Sequence, residues 1–127
     1  PVMTLKTRIA AVKELPAGTP VSYGCTHVLE CPARIATLPI GYADGLPRLC
    51  SDRQEVLIRG VRAPIVGRIC MDMCMADVTG ISGAAPGDEV EVFGSGIPVE
   101  EAAGLAQTIQ YELLCAVSPR VPRIYLG

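Results

Sequence analysis

The 127-residue sequence has no Trp, one Phe and one His. A single imidazole leaves little from which to build a catalytic triad or a His-rich metal centre. His27, alone in a strand-like stretch with no carboxylates clustered around it, reads as a structural residue. Charge of one sign is not in excess: 11 Lys+Arg face 13 Asp+Glu, a net charge of −2 with no basic run. That balance argues against nucleic acid or an anionic membrane surface as the main partner. The longest stretch without Lys, Arg, Asp or Glu is Leu15–Leu29, 15 residues broken by Pro16, Gly18, Pro20 and Gly24. It is too short and too interrupted for a membrane-crossing helix. Pro1–Leu15 lacks the order of a secretory signal, so the expected setting is a soluble protein of the cytoplasm. The six cysteines (Cys25, Cys31, Cys50, Cys70, Cys74 and Cys115) contain no CxxC pair. The expectation is six free thiols, most of them small core hydrophobes, and no metal.

What the sequence does have is punctuation. Thirteen Gly and eleven Pro cut it into short pieces, and most of those pieces alternate apolar with polar. Met3, Leu5 and Ile9 oppose Thr4, Lys6 and Arg8. Pro16-Ala17-Gly18 is turn chemistry, Val21–Glu30 reads as a second strand, and Arg34–Ile40 reads as a third. Tyr42–Pro47 is a loop by its Gly and Pro content. Glu55–Arg59 and Val61–Cys70 flank Gly60 as a hairpin, followed by strands over Met71–Val78 and Asp88–Phe93. Gly94-Ser95-Gly96 lacks the lysine of a phosphate loop and reads as a turn. From Val99 the apolar positions Ala102, Ala103, Ala106, Ile109, Leu113 and Val117 follow helical spacing, weakened at Gly104 and stopped by Ser118-Pro119. Arg120–Leu126 reads as a last strand. The fold expected is mainly all-β, a single barrel-like domain over 1–127 of about eight short strands with one C-terminal helical segment.

Four tyrosines against one Phe are not generic aromatic filler. Tyr23 sits in Ser22-Tyr23-Gly24, Tyr42 in a Gly-rich loop and Tyr111 on the helix. A phenol has an ordinary pKa of about 10, so neutral-pH base chemistry needs neighbouring cations; otherwise each ring packs and its hydroxyl bonds locally. On a continuous strand Met71, Met73 and Met75 share one face, read as core, with Cys70, Asp72 and Cys74 on the other. If Asp72 is buried there, it needs a partner.

Taken together, these stretches resemble a known family. They include Leu5-Lys6-Thr7-Arg8, Ser22-Tyr23-Gly24, Gly41-Tyr42-Ala43-Asp44-Gly45, Gly67-Arg68-Ile69-Cys70-Met71-Asp72, Pro86-Gly87-Asp88, Ile109-Gln110-Tyr111-Glu112 and Ser118-Pro119-Arg120-Val121-Pro122-Arg123. The sequence is similar, in order and almost end to end, to the C-terminal β domain of bacterial alanine racemase. The resemblance implies a pyridoxal 5'-phosphate enzyme that interconverts L- and D-alanine for peptidoglycan precursors. It also implies that the cofactor-linked lysine, an Arg and a His belong to a TIM-like barrel absent from this sequence, so that the domain alone is inactive. In the implied head-to-tail homodimer, this domain faces the barrel of the second subunit.

Residue by residue, Tyr23 matches the catalytic tyrosine, which moves the α-proton on one face of the substrate. Tyr42 matches a residue of the substrate entrance, and Arg48 and Arg68 fall near its cationic positions, with a surface ion pair as the plainer role for each. Met71 matches the residue whose backbone N–H meets the substrate carboxylate. Tyr111 matches a tyrosine bonded to the cofactor phosphate, with Ile109 beside it at the inner gate. His27 inherits no role. Met73 stands where the family often has Gln. Two other readings remain open: a serine/alanine racemase domain of a membrane-linked enzyme, and a non-catalytic β-barrel adaptor.

Overall fold

The computed structural model describes residues 3–21, 27–46, 48–105, 117 and 121–123. Nine strands form among them: β1 (Leu5–Arg8), β2 (Ala11–Leu15), β3 (Pro20–Val21), β4 (His27–Val28), β5 (Ala33–Leu38), β6 (Glu55–Ile58), β7 (Val61–Val66), β8 (Cys74–Asp77) and β9 (Glu89–Phe93). One helix, α1 (Val99–Leu105), follows. Seven strands make one sheet in the order β1-β9-β6-β7-β8-β5-β2, every pairing antiparallel, while β3 and β4 form a separate hairpin. The two ends of that order are consecutive in the chain. Ile9 donates to the Asp88 carbonyl (2.9 Å) and Ala10 to the Thr37 carbonyl (2.9 Å), so β1 and β2 act as one bent strand that carries the ladder round. The barrel-like, mainly β expectation holds.

Alternation explains which face each strand buries. On β6, Val56 and Ile58 point inward, as do Cys74 and Ala76 on β8 and Val90 and Val92 on β9, all at 1% exposure or less. β5 serves two cores: Ala36 and Leu38 belong to the main one, whereas Ala33 and Ile35 face a second with Val21, Leu29 and Val66. Through Val21 and Leu29 the β3–β4 hairpin is thus packed on the outer face of the sheet. The Arg59-Gly60 turn takes φ of 51° and 76°, the left-handed pair that a two-residue hairpin requires. Arg62 on β7 reaches Glu101 of α1 at 2.8 Å and Glu55 of β6 at 3.3 Å.

Several expected boundaries need correction. Val61–Cys70 ends as a strand at Val66, where Gly67 takes φ 76°. The strand expected over Met71–Val78 begins only at Cys74, because Cys70 N–H donates to the Met73 carbonyl at 2.9 Å and the intervening residues turn. Met71 is therefore exposed rather than part of an apolar core row, and Asp72 is exposed as well. Ala11–Leu15, with Lys13 and Glu14 exposed and the other three half-exposed, is a strand that alternation does not predict. Within Val21–Glu30, only Val21 and His27–Val28 are strand among the described residues. The helix expected to reach Val117 is described as far as Leu105, and Ile109, Tyr111 and Tyr23 lie outside the described residues; of the strand expected over Arg120–Leu126, only residues 121–123 are described, and they are not strand.

Candidate functional site

The site is built from two turns that grip each other. In the first, Tyr42–Asp44 forms a single 3-10 turn. Asp44, 6% exposed, accepts the Gly41 N–H at 3.0 Å, and Gly45 ends the turn at φ 111°. The N–H groups at the start of such a turn have no partner within it. Here Tyr42 N–H donates to the Cys70 carbonyl (3.0 Å) and Ala43 N–H to the Met71 carbonyl (2.8 Å). The second turn, Cys70–Met73, therefore supplies acceptors to the first. Gly41 is obligatory at the crossing: a Cβ there would lie 2.6 Å from the Met71 carbonyl carbon and oxygen, and closer still to the Cys70 oxygen.

Arg48 joins this pair from the short 3-10 turn Arg48–Cys50. Its guanidinium carbon stands 5.6 Å from the centroid of the Tyr42 ring, a cation–π arrangement. Tyr42 is 42% exposed and Met71 57%, so ring, cation and turn tip all meet solvent. Arg68 is exposed on the stretch that leads into the second turn. Of the residues singled out in the sequence, the structure brings Tyr42, Arg48 and Met71 together and places Arg68 next to them in the chain. Tyr23, Ile109 and Tyr111 fall outside the described residues.

Sequence reasoning passed over the residues that brace these turns. Asp44 could have been found, since an Asp three positions after Gly41 is a turn-capping pattern. Ser51 and Asp52 carried no signal. Ser51 Oγ accepts the Ile69 N–H at 2.8 Å, and Asp52 Oδ1 accepts the Gly67 N–H at 2.6 Å.

The chemistry available is limited by what these groups are. Burial pushes the Cys74 thiol up to about 12, with Cys70 adding to the effect, and the Cys50 thiol up to about 11 despite Arg53. Both are neutral packing residues, not nucleophiles. Cys31 and Cys70 are also free thiols. Among the described residues, no three His, Cys, Asp or Glu side chains are grouped to hold a metal. A cofactor aldehyde needs a lysine amine, and the sequence has only Lys6 and Lys13. Lys6 is paired with Glu89 at 2.9 Å, and Lys13 is exposed on β2. The described residues thus form no cradle for pyridoxal phosphate. What they form is a solvent-facing rim of one aromatic ring and cations.

Comparison with known proteins bears on what that rim serves. The family described as alanine racemase, C-terminal domain, matches residues 2–125. The chain is 52% identical over 128 residues to the alanine racemase of Desulforamulus reducens, covering 100% of this chain and 35% of that protein. It is 52% identical over 130 residues to the alanine racemase of Methanococcus maripaludis, covering 99% and 35%. Its structure is similar to the biosynthetic alanine racemase of Pseudomonas aeruginosa, with a TM-score of 0.95 and 42% identity over 100% of this chain and 36% of that one. The alanine racemase of Bartonella henselae with covalently bound pyridoxal phosphate gives a TM-score of 0.93 at 35% identity, over 97% of this chain and 34% of that one. The chain spans about a third of the length of these relatives.

Proposed function

From a chain that belongs to the alanine racemase C-terminal domain family, we propose the C-terminal part of an enzyme that interconverts the enantiomers of alanine. The reaction removes the α-proton from one face of a small amino acid and returns one to the other. Pyridoxal phosphate, held by the barrel domain, would spread the charge left at the α-carbon. This chain's part is the other face. The Tyr23 hydroxyl holds or gives up the proton there, its phenolate made accessible by cations of the neighbouring barrel.

The remaining roles belong to the rim. Arg48 and Arg68 draw in the carboxylate of the substrate, and Tyr42 lines its path. The Met71 backbone N–H receives the carboxylate, a role indifferent to the side chain. The Tyr111 hydroxyl would donate a hydrogen bond to the cofactor phosphate, and Ile109 would narrow the passage. The rim needs a second polypeptide to close over it, which is the barrel of a partner subunit in a head-to-tail homodimer. The D-alanine product would supply peptidoglycan precursors in the cytoplasm, where free thiols persist.

The observation that carries this reading is the mutual grip of the Tyr42 and Met71 turns. Two stretches far apart in sequence, each implied to meet substrate, share one exposed corner with a cation over the ring. The test is Tyr23→Phe in the full-length protein. Enantiomers are equal in free energy, so steady-state racemisation falls alike in both directions and cannot assign a face. Exchange of the α-hydrogen with deuterated solvent can. The variant should lose exchange from one enantiomer and retain it from the other. Equal retention from both would remove Tyr23 from the mechanism.

A further inference from the structure

Asp52 has no part in the roles above, yet it joins two segments that carry them. Its backbone takes φ 56°, in the left-handed region that few side chains adopt. One oxygen does the joining: Oδ1 accepts the Gly67 N–H at 2.6 Å and lies 3.3 Å from His27 Nδ1. Beyond Gly67 come Arg68 and the Cys70–Met73 turn, and neighbouring Ser51 fixes Ile69 in the same stretch. Before His27, four positions back in the chain, comes Tyr23.

We infer that Asp52 is a positioning residue that ties His27 to the stretch carrying Arg68 and Met71 and acts through His27 on Tyr23. The inference rests on Tyr23 being the proton-transferring group of the proposed function. His27 and Asp52 side chains are each 37% exposed, and contacts as wet as this contribute little to stability. Position is what such a contact supplies. A carboxylate oxygen that accepts one backbone N–H and lies 3.3 Å from an imidazole nitrogen ties the spacing of the two stretches more tightly than either chain alone. Proton transfer is steep in distance, so a small drift of Tyr23 relative to a substrate seated at Met71 slows its face of the reaction.

The experiment measures wash-in of solvent deuterium from each alanine enantiomer separately, in the full-length enzyme carrying its cofactor. Asp52→Ala should slow exchange on the Tyr23 face by ~10- to 100-fold while the barrel-served face stays within about twofold. Asp52→Asn retains an acceptor oxygen and should recover much of the loss. His27→Ala, which spares the Gly67 bond, should reproduce part of it, and it carries the test if Asp52→Ala does not fold. Equal slowing on both faces, or none on either, overturns the inference. Tyr23→Phe run alongside separates the two ideas: if it leaves both faces unchanged, the reading of Tyr23 falls first, on its own evidence.

Discussion

Replacing Gly41 with alanine would set a methyl group against backbone, not against a side chain that could swing away. The nearest atoms are the Cys70 oxygen and the Met71 carbonyl, the latter at 2.6 Å. Relief requires the two turns to part, which breaks the bonds from Tyr42 and Ala43 as well. Gly41→Ala is expected to lower stability by ~3 kcal/mol, read from urea unfolding, and, on the proposed function, to raise the full-length protein's KM for alanine more than it lowers kcat. Gln54 poses the opposite problem. It is fully buried, with Nε2 donating to the Val92 carbonyl at 2.9 Å and Oε1 without a partner among the described residues. Gln54→Met loses a bond and removes an orphaned oxygen, so its cost should be within about 1 kcal/mol. Gln54→Ala leaves a cavity and should cost ~2 kcal/mol or more by the same measurement. Local patterns could mark Gly41 and Tyr42 as a loop of unusual composition. They could not pair it with Met71, because the contact depends on a path through two intervening strands, β6 and β7.

The misread stretch Met71–Val78 shows where periodicity fails. From Cys74 onward the alternation is real, with Cys74, Ala76 and Val78 buried and Met75 and Asp77 half-exposed. Extending it back through Met71 gave a strand that a Cys70–Met73 hydrogen bond closes into a turn, and no Gly or Pro marks that turn. β2 is unmarked for the converse reason: both its faces are half-exposed or exposed, so no contrast is written in them. The Arg59-Gly60 hairpin, by comparison, was legible from glycine alone. Burial on β8 has a chemical consequence that tests the corrected boundary. With thiols at about 12 for Cys74 and about 11 for Cys50, the thiolate fraction at ~pH 8 is about one in a thousand or less. Iodoacetamide should label exposed Cys31 first, Cys70 more slowly, and leave Cys50 and Cys74 intact, as read by peptide mass spectrometry. Labelling of Cys74 at the Cys31 rate would mean that β8 opens locally.

At the scale of the molecule, the barrel depends on a seam where the bent strand β1–β2 meets the start of β9. Main-chain bonds run both ways there, from Ile9 to Asp88 and from Gly87 to Ile9, and Arg8 donates to the Gly87 carbonyl. Two carboxylates flank the seam. Asp88 takes a two-pronged bond from Arg59 at 2.8 and 3.1 Å and another from the Ala85 N–H, and these hold its carboxyl below the usual range. The hydrogen bond from Lys6 does the same for Glu89. Both folded-state values lie below those of the unfolded chain, so the native state binds fewer protons in acid. Their contribution is complete above the ordinary carboxylate pKa of about 4 and is lost as pH falls through the depressed folded values. The thermal-unfolding midpoint of the full-length protein at low salt should therefore fall as pH drops from about 5 to about 2.5. The paired variant Asp88→Asn, Glu89→Gln should begin lower at neutral pH and decline less across that window. A decline as steep as that of the unaltered protein would mean that these ion pairs form without any bearing on closure of the barrel. The seam would then rest on its main-chain bonds and on the core beneath it, where Ile9 and Val90 are buried.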